Sequence, residues 1–159
     1  SSRELCRETG IGPARAARLA ACFEIGRRLY RADEQAPFIR GPEDIYQAAR
    51  DILSARKEHF LTFHLNARNQ VIARDTVSIG SLNASIVHPR EVYEPAVRNS
   101  AAALILVHNH PSGDTDPSDD DLALTRRLVQ VGELLGISVL DHIIVAGRAT
   151  MSFAERGLL

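Results

Sequence analysis

Two histidines and an aspartate are the residues of this chain whose types and spacing most clearly spell chemistry. They lie in His108-Asn109-His110-Pro111-Ser112-Gly113-Asp114-Thr115-Asp116-Pro117-Ser118-Asp119-Asp120-Asp121, where ten residues separate the His-x-His pair from Asp121. Neutral imidazoles and a carboxylate suit Zn2+, and a catalytic zinc takes three protein ligands and leaves one position for water. On extended chain His108 and His110 leave on the same side. Asn109 points the other way, so its identity is expected to be indifferent to the metal. Asp121 can close the site from the first turn of a helix. Ser118-x-x-Asp121 is also a capping box, with three aspartates placed favourably at a helix N-terminus. Capping alone leaves the histidines unexplained, and the two roles are compatible.

These residues need a strand, a loop and a helix. Ala101 to Val107 is a continuous apolar run, read as a strand buried on both faces, and the histidines sit where it ends. Pro111, Gly113 and Pro117 then force a loop. From Ser118 to about Leu135 the spacing of Leu124, Leu128, Val131 and Leu135 predicts a helix, stopped by Gly136. Residues 138–146 read as another strand, with a turn at Ala146-Gly147-Arg148 and a brief return over 149–151. Upstream, Pro42 opens a helix to about Arg56. Residues 58–65 and 70–79 form a strand pair joined at Asn66-Ala67-Arg68-Asn69. A short helix over 89–99 is expected to be interrupted or kinked at Pro95. Strands alternating with helices predict an α/β sheet covered by helices, with sites at strand ends.

The motif resembles that of the JAMM (MPN) metalloproteases. There a His-x-His pair is followed by Pro, seven residues separate the second His from a Ser, and two more separate that Ser from an Asp. His108, His110, Pro111, Ser118 and Asp121 fill every fixed position. The form His-Asn-His-Pro-Ser-Gly-Asp is similar to the bacterial RadC branch, as are Val87-His88-Pro89-Arg90-Glu91-Val92 and Leu140-Asp141-His142-Ile143-Ile144-Val145. The resemblance runs from about Gly41 to the C-terminus. It implies a zinc-binding JAMM/MPN-type α/β domain of peptidase type, in a family associated with DNA repair.

The resemblance also implies a general base, a Glu on an early strand. Glu58, opening the strand Glu58-His59-Phe60-Leu61, matches in position and context, with Glu91 and Glu94 as competitors. Ser118 corresponds to a family serine that helps hold the oxyanion or water, and it equally reads as the N-cap. Among the other histidines, His142 reads as a hydrogen-bonded core residue. His88 is either a cap or an active-site wall. His64 shares the alternation face of Glu58, which leaves support of the site open to it.

At 159 residues, with 45% hydrophobic content, the chain allows one domain and a small appendage. The net charge of −1 gives no global case for nucleic acid. Residues 1–31, however, carry seven arginines against three glutamates. They read as a helical hairpin broken at Gly10-Ile11-Gly12-Pro13, with Ala16, Leu19, Ala20, Phe23 and Tyr30 at helical spacing. A glycine turn before a helix resembles half of a helix-hairpin-helix module, whose exposed N–H groups hold a DNA phosphate. A structural turn is the competing account. Residues 32–41 read as a linker and 42–159 as the JAMM/MPN domain. Cys6 and Cys22 lack metal-type spacing and fit reduced, structural cysteines of a cytoplasmic protein. No apolar run is long enough for a membrane span.

The reading is a zinc-dependent metallopeptidase-type hydrolase acting on a peptide or isopeptide bond of a protein or peptide substrate. The alternatives are a metal-bearing scaffold that binds DNA through residues 1–31, and a metal-dependent nuclease. Asp114, Asp116, Asp119 and Asp120 around the site argue against close approach of a polyanion.

Overall fold

The apolar run becomes the middle strand of a five-stranded mixed sheet. The computed structural model describes residues 2–34, 37–80 and 87–159. The chain divides into two compact units, Ser1–Ala36 and Pro37–Leu159.

In the larger unit the strands are β1 (His59–Leu65), β2 (Val71–Ile79), β3 (Ala103–Asn109), β4 (Ser138–Ala146) and β5 (Ala149–Ser152). Their order is β2-β1-β3-β4-β5. Only β3 and β4 run parallel. Period-2 alternation sends successive side chains to opposite faces. Leu61, Phe63, Leu65, Ala103, Ile105 and Val107 pack on one face with Ile45, Ala49 and Ile52. Those three come from helix α3 (Pro42–Ala48), its C-cap Ala49 and the 3-10 turn Arg50–Ile52 after it. Phe60, Leu104 and Leu106 pack on the other face against α4 (Pro89–Arg98) and α5 (Asp119–Leu135). Each such buried Leu, Ile, Val or Phe side chain stabilises the fold by about 1.5–3 kcal/mol. The even-numbered positions of β1 and β3 therefore share a face with α5.

Several expected boundaries move. The helix opened by Pro42 stops at Ala48, because tightening into a 3-10 turn brings Ile52 under the sheet beside Ile45 and Ala49. Helix α4 runs through Pro95 without a break, and the Asn99 N–H closes it on the Pro95 carbonyl at 2.9 Å. Residues 37–39, expected to be linker, lie along the sheet. Phe38 bridges to Gln70, and Ile39 N donates to the Asn69 carbonyl. The strand over 138–146 matches the expectation.

Helix α5 starts where expected. Ser118 is its N-cap, and both bonds of the capping box form. Gly136 ends it at φ 69, a left-handed value that glycine adopts freely.

The smaller unit holds α1 (Ser2–Leu5) and α2 (Pro13–Glu34) on either side of the glycine turn. Of the apolar stripe, Ala16 is buried, whereas Phe23 is 70% exposed. Tyr30 lies outside the residues whose side chains are described. Cys6 and Cys22 are free and exposed, so the expected structural role is not seen.

Candidate metal centre

Three elements converge where β3 ends. His108 is the last but one residue of β3, on the α5 face, and is fully buried. His110 follows the strand, and its N–H continues the pairing to β4 through the Val145 carbonyl at 3.0 Å. Asp121 sits in the first turn of α5 and is 3% exposed. One ligand atom from each of the three lies within 4.8 Å of the others. The parallel β3–β4 pair presents its carboxyl ends here, the usual place for sites in such sheets.

The hydrogen bonds decide which atoms are free. His110 Nδ1 donates to the Asp114 carbonyl at 2.8 Å, which leaves the Nε2 lone pair of the neutral ring facing inward. Gly113, at φ 87, lets the loop curl so that this carbonyl reaches the ring. His108 Nδ1 meets His142 Nε2 at 2.8 Å. His142 Nδ1 meets Thr125 Oγ1 at 2.6 Å, and that hydroxyl donates to the Asp121 carbonyl at 2.6 Å. A carbonyl only accepts, so the chain has one consistent direction: His108 Nδ1–H to His142, His142 Nδ1–H to Thr125, Thr125 O–H to Asp121. His108 is thereby fixed as the tautomer with a free Nε2.

The two Nε2 atoms stand 2.9 Å apart, with Asp121 Oδ1 at 3.3 Å from the first and Oδ2 at 3.6 Å from the second. With both rings neutral, acceptors face acceptors. A cation at their centre, whether a proton or a metal ion, relieves that. The donor set of two imidazoles and a carboxylate fits a divalent metal such as zinc.

The electrostatics agree. Burial pushes His108 below the usual histidine value, against the pull of Asp121. Asp121 instead raises His110. His142, buried between the Phe153 ring (centroids 4.5 Å apart) and Phe60 (5.6 Å), is held well below its ordinary value by desolvation. It stays neutral, as the directed chain requires. Burial alone would raise Asp121, but the neighbouring imidazoles of His108 and His110, favourable when charged, and the Ser118 hydrogen bond outweigh it and hold its carboxyl far below the usual range.

Residues 39–158 match the family model described as RadC-like JAB domain. The chain belongs to that family. A UPF0758 protein of Desulforamulus reducens is 49% identical over 158 residues, covering 98% of this chain and 70% of the relative. A UPF0758 protein of Bacillus cereus (strain B4264) is 49% identical over 156 residues, with 97% and 69% covered. The α/β unit with its five-stranded mixed sheet is the JAB/MPN-type fold.

Within this JAB domain, Glu58 precedes β1 by one residue and lines a cavity of about 240 Å³ together with His110, Ser112, Asp114, Asp116, Ser118 and Asp121. The β1–β3 register ends at Phe60–His108, two residues short of both Glu58 and His110. Of its competitors, Glu94 is bound to Arg98 at 2.7 Å on α4 and lines a different cavity. Glu91 is exposed in the first turn of α4 and lines no part of the 240 Å³ cavity.

Ser118 Oγ donates to Asp121 Oδ2 at 2.6 Å, and its N–H donates to the same oxygen at 2.8 Å. Its hydroxyl proton thus points at the carboxylate. His88 caps α4, its Nδ1 accepting from Arg90 N. His64 bonds Thr62 and Asn99, away from the cluster.

Sequence reasoning missed Thr125 and undervalued Asn109. Thr125 lies four residues after Asp121, so it faces the same way, and it interrupts an apolar stripe with a buried hydroxyl. Asn109 does point away from the three ligands, but it is 1% exposed and hydrogen-bonded through both its amide oxygen and its amide nitrogen, which its alternation face alone does not announce.

Proposed function

We propose that this chain is a zinc-dependent hydrolase of peptidase type, cleaving a peptide or isopeptide bond. The observation that carries the reading is the convergence of His108 Nε2, His110 Nε2 and Asp121 Oδ1 beside an open cavity that Glu58 also lines. A divalent metal held there supplies a Lewis acid that polarises a carbonyl and makes water more acidic. Glu58 provides the base: its carboxylate takes the proton of the attacking water and passes it to the leaving amine. Ser118 orients Asp121, and its hydroxyl also lies on the cavity wall, where it can turn to a developing oxyanion.

A second reading, DNA held by residues 1–31, is supported by the exposed arginines of α2 beside the glycine turn, Arg15 and Arg18. A nuclease is disfavoured by Asp114 and Asp116 on the cavity wall, which repel a phosphodiester.

The test is Glu58→Gln, assayed on a fluorogenic peptide panel with and without a chelator. The variant should bind zinc as the parent does and lose on the order of 10²–10⁴ in rate. Chelator-resistant cleavage, or full activity in the variant, would end this mechanism.

A further inference from the structure

The backbone on both sides of Glu58 is hydrogen-bonded by a residue of another strand. β3 and β1 pair through Phe60–His108 and then part, because β3 continues along β4 through His110 N while β1 has only begun. Among the described residues, the Asn109 side chain bridges that fork. Asn109 Oδ1 accepts the His59 N–H at 2.8 Å, and Asn109 Nδ2 donates to the Lys57 carbonyl at 3.2 Å. These two backbone groups flank Glu58 on either side. The Glu58 carbonyl is itself held by Gly80 N at 2.8 Å, from the end of β2.

An amide side chain suits this place. It offers one acceptor and one donor in a plane, which imitates a rung of the ladder at a larger strand separation. Aspartate would lack the donor, and serine would reach neither group across the fork. The side chain is 1% exposed, so unpaired groups there would cost about 1–3 kcal/mol each.

We infer that Asn109 is a positioning residue: it sets the distance of Glu58 from the His108–His110–Asp121 centre by bracing the backbone on both sides of it. The inference rests on the reading of Glu58 as the base. It also explains why the residue between the two histidines is an asparagine, although its side chain faces away from them.

The experiment uses Co2+ alone as the probe. Co2+ shifts the resonances of nearby nuclei by amounts that depend steeply on distance and direction from the ion. Amide spectra of the 15N-labelled chain are compared with Co2+ and with diamagnetic Zn2+. In Asn109→Ala, the Co2+-induced shifts of the Glu58 and His59 amides should change, while those of β4 and α5 amides stay as in the parent. His59→Pro removes one rung from the opposite side and leaves Asn109 intact. Proline is tolerated at the first residue of a strand. It should move the Glu58 shift in the same sense by a smaller amount, and it gives the reading if Asn109→Ala does not fold. Parental shifts at residue 58 in a folded variant of either kind would overturn the inference while leaving the metal reading intact. Absence of any Co2+-induced shift in the parent chain would overturn both together.

Discussion

The α4/α5 face of the sheet buries histidines at both ends of the β1–β3 pair, and the two ends behave differently. At one end His64 has Asn99 Nδ2 donating to its Nδ1 at 3.1 Å, and Thr62 Oγ1 at 3.2 Å and Asp75 Oδ2 at 3.4 Å from its Nε2. One ring proton, on Nε2, satisfies the whole set. At the other end His108 has its Nδ1 proton committed to His142, and its free Nε2 looks at another lone pair and a carboxylate. Both ends bring histidine and aspartate together. Among the described residues, only at the second do ring lone pairs converge on a carboxylate oxygen, Asp121 Oδ1, while Ser118 donates to the other oxygen, Oδ2. Convergence of unshared lone pairs, rather than the presence of histidine beside carboxylate, separates a candidate metal site from a structural clasp.

The comparison breaks most sharply under alanine and glutamine substitution. His108→Ala should lose zinc almost completely by elemental analysis, from about one ion per chain, the complement of a three-ligand site. His64→Gln should keep the full complement and lose stability instead, by about 1–3 kcal/mol in urea unfolding, as a buried hydrogen-bonded set is disturbed. Zinc retained in the first variant, or lost in the second, would mean the two ends are not what their hydrogen bonds indicate.

A smaller effect tests the directed chain behind His108. Thr125→Val keeps the shape and removes the hydroxyl that links His142 to the Asp121 carbonyl. All three ligands remain. Competition with a chelator should show zinc affinity weakened by about 10–100-fold, the usual cost of losing a partner that orients a ligand. An unchanged affinity would show that His142 holds the tautomer without help from α5.

The sequence made one side of this contrast legible and hid the other. His108, His110 and Asp121 are readable because a strand end, a Pro/Gly loop and a capping box each leave local signatures, and the spacing joins them. Glu58 is harder: nothing local marks it, and its position depends on β1 lying beside β3, fifty residues on. Resemblance to a family supplied what the residues could not. The ring contacts of His142 and the fork bridged by Asn109 were beyond reach, since each depends on the register between strands distant in sequence. His64 shows the limit of alternation. It shares a face with Glu58 and His108, but it pairs with Leu104, four residues down the strand from the Phe60–His108 rung.

The smallest effect concerns protons at the structural end. Burial depresses His64 below the ordinary histidine value of 6.5, while Asp75 pulls the other way. The unfolded chain therefore takes up a proton at a pH where the folded ring stays neutral. Its contribution to stability is complete above the unfolded value and is lost as pH falls through that value toward the folded one. The slope cannot exceed about 1.4 kcal/mol per pH unit for one proton. The measurement is urea unfolding with EDTA present, from about pH 7.5 to about pH 5.5, on the parent and on His64→Gln. His108, His110 and His142 also titrate without metal, but their partners are the same in both proteins, so they cancel in the difference. The parent should lose more stability than the variant as pH falls. Identical slopes would mean that Asp75 offsets burial fully and that the ring charges in place. The clasp would then be an ion pair, and the contrast between the two ends would rest on geometry alone.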